Sequence, residues 1–321
     1  MRPPRILVVY KKSQLEMLRR GGVLPRGADG ARLRRSDREN RGTIESVCRV
    51  LDRAGFACQA VWRADLDKAR RADLIVTVGG DGTFLEASHV AGTRPILGVN
   101  SDPSHSLGLF CAADRESFPA LFQRWREGKL REIRLQRLAV RINGRLIREP
   151  VLNDVLFAHP NPAVTAHYVL SAMSYKRKDR RGGSRAAPTT PGHMHSAMTL
   201  RRIWTEAQKS SGVWIATAAG STGAIHSCDG AVLPQTSGRF QFALREPVRR
   251  GRVLARHVRG ILGEGARLRL VSRMRRAALY VDGGHLNYPL RWGDEVEITG
   301  GAEPLRALGL DGERRRKIFG E

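Results

Sequence analysis

Residues 73–86, Asp-Leu-Ile-Val-Thr-Val-Gly-Gly-Asp-Gly-Thr-Phe-Leu-Glu, constrain this chain more than any other stretch. Leu74 to Val78 is a short apolar, β-branched run, the pattern of a strand buried on both faces. Gly79, Gly80 and Gly82 then allow backbone conformations closed to other residues. The spacing predicts a helix starting at Thr83 as cap, so that free N–H groups point at the turn. Such amides, with no side chains in the way, make an anion site suited to phosphate. Asp81 is the odd member. A carboxylate there repels a phosphate ligand unless it meets a metal ion or a hydroxyl proton, and both exceptions belong to phosphoryl transfer. A structural turn with a capping Asp is the other reading of these residues alone. Neither the Walker lysine motif nor Gly-x-Gly-x-x-Gly occurs in the chain, so a kinase built on this turn holds phosphate without a P-loop lysine.

The first half alternates strand and helix. Strands are predicted at Arg5–Tyr10, Phe56–Trp62, Leu74–Val78 and Ile96–Val99. A basic, glycine-rich loop is predicted over Gly21–Arg35, then a helix capped by Ser36 or Asp37 and running to Arg53. Alternation of this kind implies a parallel sheet covered by helices, with ligands at the carboxyl ends of its strands, where the glycine turn and Asn100 lie. Beyond a helix over Asp114–Gly128 the pattern becomes mainly β. A hairpin is expected around Asn143-Gly144, a type I′ turn signal. Further strands are expected near residues 151–158, 213–217, 239–244, 266–271, 277–281 and 295–299, with one short helix after Thr222. Lys176–Leu200 is polar and aperiodic, and reads as a disordered insertion; its His193 and His195 carry no metal assignment. The expected organisation is an α/β domain over 1–112, a mainly β domain over 113–310 and a basic tail over 311–321.

The 321 residues carry 56 Lys and Arg against 31 Asp and Glu, a net charge of +25. That charge suits anionic partners such as nucleotides or polyphosphate. The arginines are spread along the chain, with no zinc finger or aromatic RNA-binding signature, so specific nucleic-acid binding is not expected. No apolar run approaches a membrane span, and the N-terminus lacks a signal-peptide pattern, so a cytoplasmic protein is expected. Cys48, Cys58, Cys111 and Cys228 form no Cys-x-x-Cys pair, and read as reduced, mostly buried thiols.

Gly79-Gly80-Asp81-Gly82-Thr83 resembles the signature of NAD kinases, of diacylglycerol-type lipid kinases and, more loosely, of phosphofructokinases. Other segments favour the first. Asn100-Ser101-Asp102-Pro103 with Ser106-Leu107-Gly108, Asn153-Asp154 and Gly220-Ser221-Thr222-Gly223-Ala224 are similar to further NAD kinase segments, in order. Lys209-Ser210-Ser211-Gly212, Arg245-Glu246-Pro247 and Val281-Asp282-Gly283-Gly284 resemble the branch that includes mitochondrial-type NAD kinases. The likeness runs from about residue 1 to 310, outside the insertion.

The resemblance implies a Rossmann-like N-terminal domain, a C-terminal β-sandwich and a dinucleotide, NAD or NADH, bound between them. It implies that Asp81 takes the proton of the adenosine ribose 2′-hydroxyl. Gly79, Gly80, Gly82 and Thr83 would hold phosphates, with Asn100 at the same edge. Asn153 and Asp154 would contact ribose or base, and Thr222 and Ser227 would lie near the adenosine. The donor is ATP or polyphosphate, a divalent ion such as Mg²⁺ takes part, and a homodimer or larger assembly is implied. Asp154 stands where Glu is commoner, and Gly223-Ala224 lacks an aromatic that could stack on adenine. Ser211 stands where many bacterial members place an Asp against the dinucleotide of a neighbouring subunit. A lipid kinase and an inactive nucleotide- or nucleic-acid-binding relative are the alternatives.

Overall fold

The computed structural model describes residues 4–69, 71–177, 198–248 and 255–319. Strands β1 (Arg5–Tyr10), β2 (Ala57–Trp62), β3 (Leu74–Gly79) and β4 (Ile96–Asn100) are parallel, in the order β4-β3-β1-β2. Every residue of β3 and β4 is buried. Alternate side chains explain why these strands are mainly apolar. Leu7, Val9 and Ile75 pack against Phe84, Leu85, Ala87 and Ala91 of α3 (Asp81–Ala91). Ile6, Val8, Leu74, Val76 and Val78 pack on the other face, against Val47 and Leu51 of a long preceding helix and Phe118 and Phe122 of a later one. Both faces are covered, as parallel sheets require.

The N-terminal loop expectation is corrected. After α1 (Gln14–Arg20), helix α2 spans Gly27–Arg53, so most of the expected loop is helical, and Ser36 and Asp37 lie inside the helix instead of capping it. The Ser36 hydroxyl donates to Asp102, and Asp37 accepts from Ser13. The buried stripe of α2 is Gly30, Leu33, Asp37, Asn40, Thr43, Val47 and Leu51. Its spacing is helical, but before Val47 Leu33 is its only large apolar member, so apolar periodicity misses it.

The chain continues through β5 (Ala113–Asp114), α4 (Phe118–Arg126), β6 (Glu132–Ile142) and β7 (Arg145–Leu146). Asn143 and Gly144 both have positive φ, 49° and 79°, as the expected I′ turn requires. Then come β8 (Asp154–Ala158), β9 (Ala166–Arg177), β10 (Met198–Ser210), β11 (Gly212–Thr217), β12 (Phe240–Arg245) and β13 (Arg259–Leu262). The last strands are β14 (Arg267–Ser272), β15 (Ala277–Val281), β16 (Leu286–Leu290) and β17 (Glu295–Leu308), before α5 (Glu313–Phe319). The proposed insertion falls mainly on residues 178–197, outside the described residues, as do His193 and His195. Its ends at 176–177 and 198–200 belong to β9 and β10. In place of one helix after Thr222 there are two 3₁₀ turns, Ala219–Thr222 and Ala224–Cys228.

A six-stranded antiparallel sheet, β13-β12-β11-β8-β15-β16, packs face to face with the β10-β9-β14-β17-β6 part of the larger sheet. Phe157, Ile215, Phe240 and Leu279 meet Val140, Tyr168, Leu170, Leu268 and Ile298 there. This is the expected sandwich. Hydrogen bonding crosses the expected domain boundary, because β17 returns to lie parallel to β4 through Ala307 and Ile96. Gly300-Gly301 reads as a strand end in the sequence. In the fold it is an irregularity between Thr299 and Ala302, with Gly301 at φ 85°, after which β17 runs on to Leu308.

Candidate functional site

The glycine turn closes β3 onto α3. Gly80 occupies the cap position and Asp81 is the first helical residue. Thr83 is therefore not the cap. It sits one turn in, its N–H donating to the Gly80 carbonyl at 3.0 Å. Its hydroxyl is buried, with no hydrogen-bond partner among the described residues. The glycines are needed for close approach: a Cβ on Gly79 would lie 2.2 Å from Thr83 Oγ1, and one on Gly80 would lie 2.7 Å from Ser106 Oγ.

A second loop holds the Asp81 carboxylate. Asp81 Oδ1 accepts from the Phe110 N–H at 2.8 Å, and the Phe110 ring stacks on Phe84 at 5.2 Å. Asn100, 1% exposed, shapes that loop. Its Nδ2 donates to the Ser106 carbonyl at 2.9 Å and its Oδ1 accepts from the Asp102 N–H at 3.1 Å. Asn100 is thus a strut beneath the turn.

Two cations flank the same edge. Arg63 follows β2 and pairs with Glu86 of α3, Nη1 to Oε1 at 3.1 Å. Burial pushes the Glu86 carboxyl up, against the Arg63 charge. Lys11 follows β1, and its N–H donates to the Val78 carbonyl at 3.2 Å. Burial lowers the Lys11 ammonium, and the Asp102 charge opposes that.

The opposite wall is organised by Asp282, a side chain wholly removed from solvent. Its backbone has φ 49°, ahead of Gly283-Gly284. Oδ1 accepts from the N–H groups of Asn153 (2.7 Å) and Asp154 (3.1 Å). Oδ2 accepts from the Leu152 N–H (2.9 Å) and lies 2.8 Å from His89 Nε2 on α3. Asn153 Nδ2 donates to Asp154 Oδ2 at 2.8 Å. The Asp154 carboxyl is pushed up to about 7, chiefly by burial and then by the Asp282 charge, against the hydrogen bond from Asn153.

The 217–223 loop packs directly on this pair. The Thr217 N–H donates to the Asn153 carbonyl at 3.0 Å. A Cβ on Gly220 would lie 2.0 Å from that same oxygen, and one on Gly223 would lie 3.5 Å from Asp154 Oδ2. Leu152 and Ala219 share a core with Phe84, Leu85 and Phe110, so both walls rest on one apolar base.

The turn residues Gly79, Gly80, Asp81, Gly82 and Thr83 therefore meet the loop that Asn100 shapes. Asn153, Asp154 and Gly220–Gly223 form a second group, tied to α3 through Asp282 and His89. Thr222 is half-buried on that loop and Ser227 is exposed in the next turn. Ser211 is not brought to them within one chain. It lies in the β10–β11 turn, its hydroxyl donating to Glu246. Ala216, which pairs with Asp154, is five residues further along β11, about 16 Å of strand. Sequence reasoning assigned no role to Asp282, His89 or Arg63. For Asp282 the local signal was an Asp before two glycines; His89 and Arg63 carried none.

Among known proteins, residues 31–116 match the family model for the ATP-NAD kinase N-terminal domain. The chain is 30% identical over 288 residues to a probable NADH kinase of Oryza sativa subsp. japonica, covering 84% of this chain and 82% of that one. It shares its fold with yeast NADH kinase complexed with NADH: TM-score 0.65, 14% identity, 100% of this chain and 88% of the other. It also superimposes on an NAD kinase from Archaeoglobus fulgidus in complex with ATP, with TM-score 0.64 and 18% identity, over 98% and 97% of the two chains. A relative matched over most of both lengths, together with the N-terminal domain model, leads to one conclusion: the chain belongs to the NAD kinase family of phosphotransferases.

Proposed function

We propose that this chain transfers the terminal phosphoryl group of ATP to the adenosine ribose 2′-hydroxyl of NAD or NADH, giving NADP or NADPH. The observation that carries the reading is Asp81, a carboxylate at the start of a helix whose glycine turn leaves room for phosphate. In the step, the 2′-hydroxyl proton passes to Asp81 and the oxygen–phosphorus bond forms. The bond from that phosphorus to the departing ADP breaks. A positioned general base contributes roughly 10²- to 10⁴-fold.

Gly79, Gly80 and Gly82 supply an approach to the phosphates free of side chains. The buried Thr83 hydroxyl lacks a partner among the described residues, and a phosphate oxygen would satisfy it. Lys11 and Arg63 add positive charge at the same edge. Asn153 offers a donor and an acceptor, and ionised Asp154 accepts from ribose hydroxyls. Thr222 and Ser227 lie on the adenosine side. Ser211 meets a dinucleotide only from a second copy, which accords with a homodimer or larger assembly.

Among the described residues no three His, Cys, Asp or Glu side chains form a metal site. Mg²⁺ binds through one or two carboxylates and substrate phosphates instead of a protein cage, and the carboxylate at the glycine turn suits that chemistry. Asp81 and the ATP phosphates would hold it, and it would screen the phosphate charge. Polyphosphate is the second donor to test, given the net charge of +25. No helix among the described residues is long and apolar enough to cross a membrane; a cytoplasmic location is part of this proposal.

The test offers the protein NAD, NADH, diacylglycerol and fructose 6-phosphate, with Mg²⁺ and either ATP or polyphosphate. Phosphorylation of a pyridine dinucleotide alone is expected. A lipid leaves the polar groups of the second wall unpaired, at about 1–3 kcal/mol each. Turnover of diacylglycerol without that of NAD or NADH would overturn the proposal. Retained dinucleotide binding with no turnover would indicate an inactive relative.

A further inference from the structure

The last described residues read as a basic tail in the sequence, yet one of their arginines is among the most buried charged groups in the molecule. Arg315 of α5 is 4% exposed. Its Nη2 donates to the Ala218 carbonyl (3.0 Å), Ser221 Oγ (2.6 Å) and the Leu233 carbonyl (2.9 Å). These acceptors bracket one stretch, residues 218–233. Ser221 Oγ completes the knot, donating to the Ala218 carbonyl at 2.8 Å and accepting from the Leu233 N–H at 2.9 Å. The Phe319 ring meets His226 edge-on at 5.8 Å, a second contact of the helix with the stretch. Gly309 and Gly312, with φ 74° and 77°, turn the chain from the end of β17 into α5.

The stretch closed in this way carries Thr222 and Gly223, and Gly220 sits against the Asn153 carbonyl. We infer that Arg315 is a positioning residue for the dinucleotide side of the site. The C-terminal helix gathers both ends of the 218–233 loop around one guanidinium, and so fixes Thr222 and Gly223 against Asn153 and Asp154. The inference rests on the function proposed above. A guanidinium suits the task because it is rigid, always charged and more weakly hydrated than an ammonium, so its Nη2 can be held among buried acceptors. The Asp81 carboxylate has its own hydrogen bond, from the Phe110 N–H, so the larger effect falls on the dinucleotide.

The test compares wild type, Arg315→Ala and Arg315→Lys by steady-state kinetics with NADH and ATP, alongside thermal melting. For Arg315→Ala, KM for the dinucleotide is expected to rise about tenfold, with kcat and the KM for ATP changing less than about twofold. Millimolar guanidinium ion should restore the dinucleotide KM of Arg315→Ala and leave wild type unchanged. Arg315→Lys should fall between the two, and carries the same comparison if Arg315→Ala fails to fold. Unchanged kinetics in both variants would overturn the inference. So would a fall in melting temperature with both KM values and kcat worsening together and no rescue, since that marks a purely structural role. If wild type neither binds NADH nor phosphorylates a dinucleotide, the proposed function fails, and amide exchange over 218–233 tests the tether instead. Faster exchange in Arg315→Ala supports it, and equal exchange overturns it.

Discussion

The glycine turn at Gly79–Gly82 and the wall around Asp282 are assembled by opposite means. The turn is a run of consecutive residues whose function is to leave space: glycines where a Cβ would strike Thr83 or Ser106, and one carboxylate left in the gap. The other wall gathers residues from four distant places. Leu152, Asn153 and Asp154 bond to Asp282, which touches His89, while Gly220 closes from above. The first arrangement suits chemistry on a small, highly charged group. The second suits recognition of a larger polar molecule, because its donors and acceptors are fixed by a buried anion. If this division holds, variants of the turn should lose turnover, and variants of the wall should lose affinity and stability.

The largest expected effect separates the two directly. Asp81→Asn should keep the fold and lose roughly 10²- to 10⁴-fold in kcat, with the dinucleotide KM little changed. Near-wild-type turnover in the folded variant would remove Asp81 from the chemistry.

Next is the pH response of the second wall. The Asp154 carboxyl sits at about 7 in the fold, against about 3.9 in an unfolded chain. Between those values the folded state holds a proton that the unfolded state has released. The contribution of Asp154 to stability is therefore greatest below about pH 4 and is lost as pH rises through about 7, by on the order of 4 kcal/mol. Dinucleotide binding should move the other way, strengthening as the carboxylate forms and accepts from ribose hydroxyls. Urea melts and NADH fluorescence titrations from pH 5 to 8 should show the opposing slopes, and Asp154→Asn should flatten both. Parallel slopes would contradict this role.

A smaller effect is expected from Asp282→Asn. Its amide cannot accept at both former oxygens, so a buried N–H among Leu152, Asn153 and Asp154 loses its partner, at about 2–3 kcal/mol. Denaturant melts should show that loss, and the dinucleotide KM should rise more than kcat falls. A change confined to kcat would move this wall into the chemistry. The smallest effect belongs to Ser211→Asp. An added carboxylate attracts the cationic nicotinamide ring of NAD and not neutral NADH, so the ratio of their kcat/KM values should shift a few-fold toward NAD. An unchanged ratio would place Ser211 away from any bound dinucleotide, including one in a partner subunit.

The same contrast explains what was legible. Gly79 to Thr83 are contiguous, and their spacing alone pointed to an anion site beside a strand end. The parallel strands were visible because burial on both faces makes Leu74–Val78 apolar but for Thr77. The Asp282 network was hidden, since residues 89, 153, 220 and 282 become neighbours only through sheet pairing and the packing of α3. The start of α2 was hidden for another reason: from Gly27 to Arg35 it buries only Gly30 and Leu33 among glycines and arginines, too little to register as an apolar period. Arg315 was misleading for the converse reason, a charged residue in a basic segment that in the fold is an interior hydrogen-bond donor.

The central claim is that Asp81 activates one particular hydroxyl of a dinucleotide held by the opposite wall. The most direct measurement locates the new phosphate. NADH and ATP should be turned over with Mg²⁺, and the product examined by phosphorus–proton correlation NMR. The account predicts a single new monoester at the 2′-position of the adenosine ribose, absent with Asp81→Asn. A monoester on the nicotinamide ribose, a mixture of positions, or undiminished product with Asp81→Asn would contradict it.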